Sequence, residues 1–272
     1  MSYQPMAAEN AVESFCRYGQ SNLWFRGPQR SLDKPFVACI GGQETFGRFV
    51  EDPFPARLER LMQRRCLNFG SLFCGVDAVH SDDGLRELAD RAEICVLQLP
   101  GLAGQNNRFY RVHARRNDRF VAPTQDLITL FPEADFTDIH FVRHLMNRLY
   151  SISGDRHAEV VDELRRNWVA RLRGFLQSVS SQTVLLWLDV QNGSLSEGPI
   201  EHEHVRAEML DALRPFCADA ITLTVRVAGD SDELEDLLFG TLQQPRAEFM
   251  LGPATHQKIA DALSQAIQNL RS

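Results

Sequence analysis

Five short apolar runs, at residues 36–40, 66–69, 94–99, 184–189 and 221–225, punctuate the chain, and longer amphipathic stretches fill the intervals. Each run is brief and partly β-branched or aromatic, which reads as a strand. Strands apolar on both faces belong at the centre of a parallel sheet covered by helices. Stretches at 54–64, 83–92, 158–177, 204–216, 232–243 and 255–270 supply those helices. Val160, Leu164, Val169, Leu172 and Leu176 follow one helix face, as do Ile259, Leu263, Ile267 and Leu270. Ser231-Asp232 and the segment from Pro253 to Thr255 carry the short polar side chains that start helices. The alternation predicts an α/β three-layer α/β/α sandwich around a mainly parallel five-stranded sheet, with no internal repeat.

Residues 101–153 interrupt this order between the third and fourth strands. They read as an insertion or lid subdomain, with a helix at about 136–149, inside a single domain spanning 1–272. Ligands of open α/β sheets bind beyond the carboxyl ends of the strands, so an insertion leaving strand three is placed to cover a site.

Hydrophobic content of 44% and charged content of 24% are those of a soluble globular chain. A net charge of −7 argues against a nucleic-acid partner, which calls for a basic field. No segment resembles a signal peptide or a bilayer span, so a membrane partner is not expected and a cytoplasmic location is the simplest reading. Cys16, Cys39, Cys66, Cys74, Cys95 and Cys217 form no C-x-x-C pair, in keeping with reduced thiols. Nothing adjacent to Cys74 would lower its pKa toward a nucleophilic thiolate.

Arg108, Arg111, Arg115, Arg116 and Arg119, with His113, concentrate positive charge in the insertion of an otherwise acidic chain. Guanidinium forks match sulfate, phosphate or carboxylate, which points to an anionic ligand. The alternative is a solvated loop whose arginines pair with Asp118, Asp126 or an acidic helix. His140 and His144, four apart on the expected helix, read as partly buried hydrogen-bonded histidines rather than metal ligands, and no metal or other cofactor is expected. His202 and His204 read as a solvated helix start.

The turn after the first strand and the last helix carry a resemblance. Gly41, Gly42, Gln43, Glu44, Thr45, Phe46 and Gly47 occupy the places of the Gly-Asp-Ser-x-Thr-x-Gly turn of SGNH (GDSL-type) hydrolases. Asn68-Phe69-Gly70 with Gly75 is similar to the second block, Gly104-Gln105-Asn106-Asn107 to the third, and Thr255-His256 with Ile259-Ala260 to the last. The resemblance implies an SGNH/flavodoxin-like sheet around an altered site. Gln43 stands in the nucleophile's place, and Met250 and Ala247 in those of the catalytic histidine and aspartate. The whole chain, including the stretches at 18–28 and 113–120, also resembles an uncharacterised alphaproteobacterial family, DUF6473, which brings no activity with it.

Within that altered site Glu44 is the replacement candidate for a general base or cation holder, or else caps backbone amides or pairs with an arginine. His256 is the second catalytic candidate, at the start of the last helix. Gln43, Thr45, Asn68, Gly70, Asn106, Asn107, His113, Arg115, Arg116 and Arg119 are the candidate ligand-binding residues. Two functions follow from this. One is an atypical transferase or hydrolase, not a serine esterase, acting on a small anionic or carbohydrate ligand at the carboxyl ends of the sheet. The other is a non-catalytic binding or assembly protein on a degenerate SGNH scaffold, for which a homo-oligomer is one open outcome.

Overall fold

The computed structural model describes residues 14–191 and 205–270. Its centre is a five-stranded sheet of β3 (Val37–Gly41), β4 (Cys66–Gly70), β5 (Ile94–Gln98), β8 (Gln182–Gln191) and β9 (Asp219–Arg226). All neighbours pair in parallel, in the order β4-β3-β5-β8-β9. This is the flavodoxin-like 2-1-3-4-5 arrangement, whose chain reverses direction of growth between β3 and β5. Every residue of β3 and β5 is buried, because helices cover both faces of the sheet.

One face carries Val37, Cys39, Val96, Val184 and Leu186 against Phe54 and Leu58 of α2 (Phe54–Met62) and Ile259, Leu263 and Ile267 of α10 (Pro253–Asn269). The other carries Ala38, Ile40, Cys95, Leu97 and Leu185. It packs on α3 (Val76–Ser81), α4 (Asp83–Asp90) and the long α7 (Gly154–Ser178). The expected three-layer α/β/α sandwich is the observed fold. Trp168 of α7 is fully buried and donates its indole N–H to the Pro100 carbonyl at 3.0 Å, which ties the helix to the end of β5. The four-residue α1 (Gln43–Phe46) follows β3 directly. A short antiparallel pair, β1 (Phe15–Cys16) and β2 (Phe25–Arg26), precedes the sheet.

The insertion forms the hairpin β6 (Tyr110–His113) and β7 (Arg116–Pro123), then α5 (Gln125–Leu130) and α6 (Val142–Ile152). Phe109, Tyr110, Leu127, Phe131, Leu145 and Leu149 from this region belong to the same apolar cluster as the sheet. The helix expected at 136–149 therefore starts six residues late. His140 precedes it, His144 lies on it, and both are exposed, so the anticipated partly buried pair does not form.

Two other stretches depart from expectation. The helix expected at 204–216 is reduced to α8 (Ala207–Asp211) and a 3-10 turn at Arg214–Phe216, while His202 and His204 lie outside the described residues. The stretch at 232–243 is not a helix but two 3-10 turns, Leu234–Asp236 and Thr241–Gln243, leading into α9 (Gln244–Ala247). Clustered like charges from Asp230 to Asp236 and Gly240 weaken a helix there. Glu233 is also drawn away: its carboxylate accepts from Thr255 N at 3.0 Å and Thr255 Oγ1 at 2.6 Å, at the start of α10. Among the described residues no helix is long and apolar enough to cross a membrane.

Candidate functional site

The site grows from the turn between β3 and α1, where the chain must bend sharply at the edge of a buried sheet. A side chain on Gly41 would overlap Thr45 Oγ1 and Gln98, so only glycine lets the strand end this close to its neighbour. Gln98, the last residue of β5 and itself buried, fills the turn. Its Oε1 accepts from Gly42 N at 3.2 Å, Thr45 N at 3.1 Å and Thr45 Oγ1 at 2.6 Å. Three donors on one oxygen fix the orientation of the amide, because the NH2 group could not take that place. Its Nε2 therefore points outward and donates to Glu44 Oε2 at 2.8 Å. Gln43 Nε2 donates to the other Glu44 oxygen at 3.3 Å.

Beyond Glu44 lies a cleft of about 330 Å³ at the carboxyl ends of β3, β5 and β8. Its polar lining consists of Gln43, Glu44, Gln98 and Asp189, and Phe73 and Trp187 supply aromatic walls. No arginine, lysine or histidine lines it among the described residues. Cys74 forms part of the wall, and burial pushes its thiol up to about 12, which keeps it protonated and unreactive. The position is the topological switch point, where β3 and β5 diverge and a crevice must open.

Of the candidate catalytic and ligand-binding residues, only Gln43 and Glu44 line this cleft. Thr45 is completely buried and braces the turn. Asn68 donates to Thr45 O at 2.9 Å and accepts from Gly70 N at 2.8 Å, so it holds α1 against β4 and occupies the Gly70 amide expected to bind ligand. A side chain on Gly70 would overlap the backbone of Phe46, which explains that glycine by close packing.

Asn106 and Asn107 are likewise braces. Asn106 donates to Asp77 and accepts from Val112 N at 2.9 Å, and Asp77 also pairs with Arg171 of α7. Asn107 accepts from Phe109 N and Tyr110 N.

His256 caps the start of α2, and it lines a small pocket that also holds Gln43 and Glu44. Its Nδ1 accepts from Phe54 N at 3.1 Å, at the start of α2, and its ring stacks on Phe54. Burial, reinforced by Arg57 and Arg26, lowers its pKa to about 3. The imidazole is neutral at physiological pH, its Nδ1 lone pair is in use, and the hydrogen sits on Nε2.

The arginines stand apart from Glu44, so the single composite site expected from sequence is divided. Arg116 lies over the Phe73 ring, 4.2 Å from its centroid, and pairs with Asp118 at 3.2 Å. Arg119 lies over Phe141 at 4.2 Å. His113 and Arg115 are exposed at the hairpin tip, joined by a bond from Arg115 N to His113 Nδ1. None of the four lines the cleft that contains Glu44. Among the described residues no group of three or more His, Cys, Asp or Glu side chains is placed to hold a metal ion.

Gln98, Asp189, Trp187 and Phe73 are the site residues that sequence reasoning missed. Gln98 and Asp189 did carry a signal: Gln98 closes the apolar strand β5, and Asp189 ends the apolar run at 184–188 inside β8, positions that face the crevice in such sheets.

A family model described as a domain of unknown function (DUF6473) matches residues 1–271. No curated protein matches the chain. Among solved structures, the chain is similar to one from Desulfitobacterium hafniense DCB-2, described as a lipolytic protein of the G-D-S-L family. The two share 14% identity over 86% of this chain and 99% of that one, with a TM-score of 0.40. The assignment of the fold rests on the strand order and pairing above.

Proposed function

The chain belongs to the DUF6473 family, whose description assigns it no reaction, and we propose that its cleft takes a hydroxyl-rich, sugar-containing ligand on which Glu44 acts. The observation that carries this reading is the Gln98 clamp. A carboxylate held by Gln98 Nε2 at 2.8 Å lines a cleft in which no lysine, arginine or histidine stands among the described residues. Carboxylates and primary amides pair with hydroxyls, and aromatic walls such as Phe73 and Trp187 cover the apolar face of a sugar ring.

Glu44 is placed to take the proton of a ligand hydroxyl or water as that oxygen attacks the transferred group. The proton taken by Glu44 passes on to the departing oxygen, directly or through Asp189, the second carboxyl group on the same cleft. Acyl transfer through a serine is not supported, since Gln43 stands at the turn and the Gly42 and Thr45 amides already donate to Gln98.

Binding without turnover is the second reading, favoured by the lack of any serine, histidine or thiolate in the cleft lining among the described residues. A thermal-shift screen of neutral, sulfated, phosphorylated and acylated sugars, followed by product detection for each hit, separates the two. Stabilisation with product supports the enzyme, and saturable stabilisation without product supports the binding protein. A flat response to every sugar overturns both.

A further inference from the structure

We propose that the groove beside the cleft is a second subsite for the same ligand, one that holds an anionic sugar unit bearing a carboxylate, sulfate or phosphate. This subsite rests on the reading of the cleft as a sugar site and specifies the substrate class. The groove measures about 470 Å³ and shares Phe73, Cys74 and Gly101 with the cleft, so the two form one continuous trough. Each is large enough by itself to be a ligand pocket. A ligand that fills both must be longer than a single ring.

The two halves differ in charge. Glu44 and Asp189 make the cleft acidic. Along the groove, Arg143 is exposed and its guanidinium has no partner among the described residues. Arg143 is the cation that lines the groove among the described residues, alongside the carboxylate of Asp118, and Arg116 and Arg119 stack on the groove's two aromatic residues, Phe73 and Phe141. Arg116 pairs with that carboxylate at 3.2 Å. Arg116 Nε and Asp118 Oδ1 are each buried without a hydrogen-bond partner, so the polar capacity of this wall is not used up internally. Phe141 is 43% exposed, an aromatic face open to a ring. A ligand is therefore oriented by charge, with its neutral hydroxyls at Glu44 and its anionic group at Arg143.

Gly101 lies at the junction and supplies the test. A Cβ added there would meet no atom within 4 Å, so a larger side chain fits the fold yet enters the passage between the subsites. Calorimetric titration of the full chain would use N-acetylglucosamine and methyl glucoside as single units and cellobiose and chitobiose as neutral pairs. Digalacturonate, a sulfated chondroitin disaccharide and a disaccharide phosphate separate the three anions.

At least one anionic disaccharide is expected to bind about tenfold tighter than the neutral pairs, the size of one charge-assisted contact. Arg143→Gln removes that margin. Gly101→Leu is expected to weaken disaccharides several-fold more than single units and to leave the melting temperature unaltered. Equal binding of neutral and anionic pairs, or equal loss of single units and pairs in Gly101→Leu, overturns the subsite while leaving the cleft reading intact. Binding of no sugar at all to the unmodified chain overturns the cleft reading and the subsite with it.

Discussion

Gln98 joins the ends of two strands through one amide: its oxygen gathers three donors from the β3 turn, and its nitrogen holds Glu44 at 2.8 Å. The last residue of β5 thus sets the direction of the carboxylate that follows β3. Glu44 owes its direction to Gln98, whereas Gln98 is held by the turn itself.

Gln98→Glu keeps an oxygen for the Gly42 and Thr45 donors but sets a second carboxylate against Glu44. Two carboxylates at hydrogen-bond distance resist joint ionisation, so the variant is expected to lose about 1 to 3 kcal/mol at neutral pH and recover it on acidification as one of the pair takes a proton. Urea melts of both proteins from pH 7 to pH 4 check this. A deficit that does not change with pH would contradict it.

His256 gives the chain an acid-sensitive limb. Its folded pKa, about 3, lies below the ordinary histidine value of 6.5. The unfolded chain therefore takes up a proton as pH falls through 6.5 while the folded chain does not, and the folded state loses stability between 6.5 and 3. The contribution is fully present above 6.5 and amounts to roughly 5 kcal/mol at ~1.4 kcal/mol per pH unit. His256→Asn keeps an acceptor for Phe54 N and removes the titration. Its stability should fall less steeply than that of the parent across this window.

Arg171 on α7 neutralises Asp77, whose side chain is nearly buried beside Asn106. Arg171→Met strands that carboxylate and is expected to cost about 2 to 4 kcal/mol. Adding Asp77→Asn should recover part of the loss in denaturant melts. Additive losses in the double variant would count against the coupling.

Cys74 should resist alkylation. With its thiol near 12 there is no thiolate at pH 8 to attack iodoacetamide. Mass spectrometry of the folded chain is expected to show Cys74 unmodified under conditions that label Cys217, which is only half-buried. Rapid labelling of Cys74 would contradict the wall described for it.

The sheet was legible because its signal is local. Buried parallel strands are short apolar runs, and β3, β4, β5, β8 and β9 all lie where such runs stand. The stretch at 232–243 misled because its helix-like spacing is outweighed by Gly240, crowded acids and the attraction of Glu233 to the start of α10.

Site residues were harder to read for a different reason. Asn68, Asn106 and Asn107 look like ligand contacts, but an amide that both donates and accepts is equally suited to bracing loops, and here each does so. Which arginine faces which cavity depends on the twist of the β6–β7 hairpin. No sequence spacing encodes that, so the sequence does not tell that Arg116 and Arg119 stand outside the lining of the cleft that contains Glu44.

The central claim is that Glu44 is the group that engages the ligand. Calorimetric titration of the best sugar from the thermal-shift screen into the parent chain and into Glu44→Gln tests it directly. Glu44→Gln should melt at the parent temperature, since Gln98 keeps its three donors, and should bind about tenfold or more weakly, with any turnover abolished. Unchanged affinity and unchanged turnover in a folded Glu44→Gln would contradict the account.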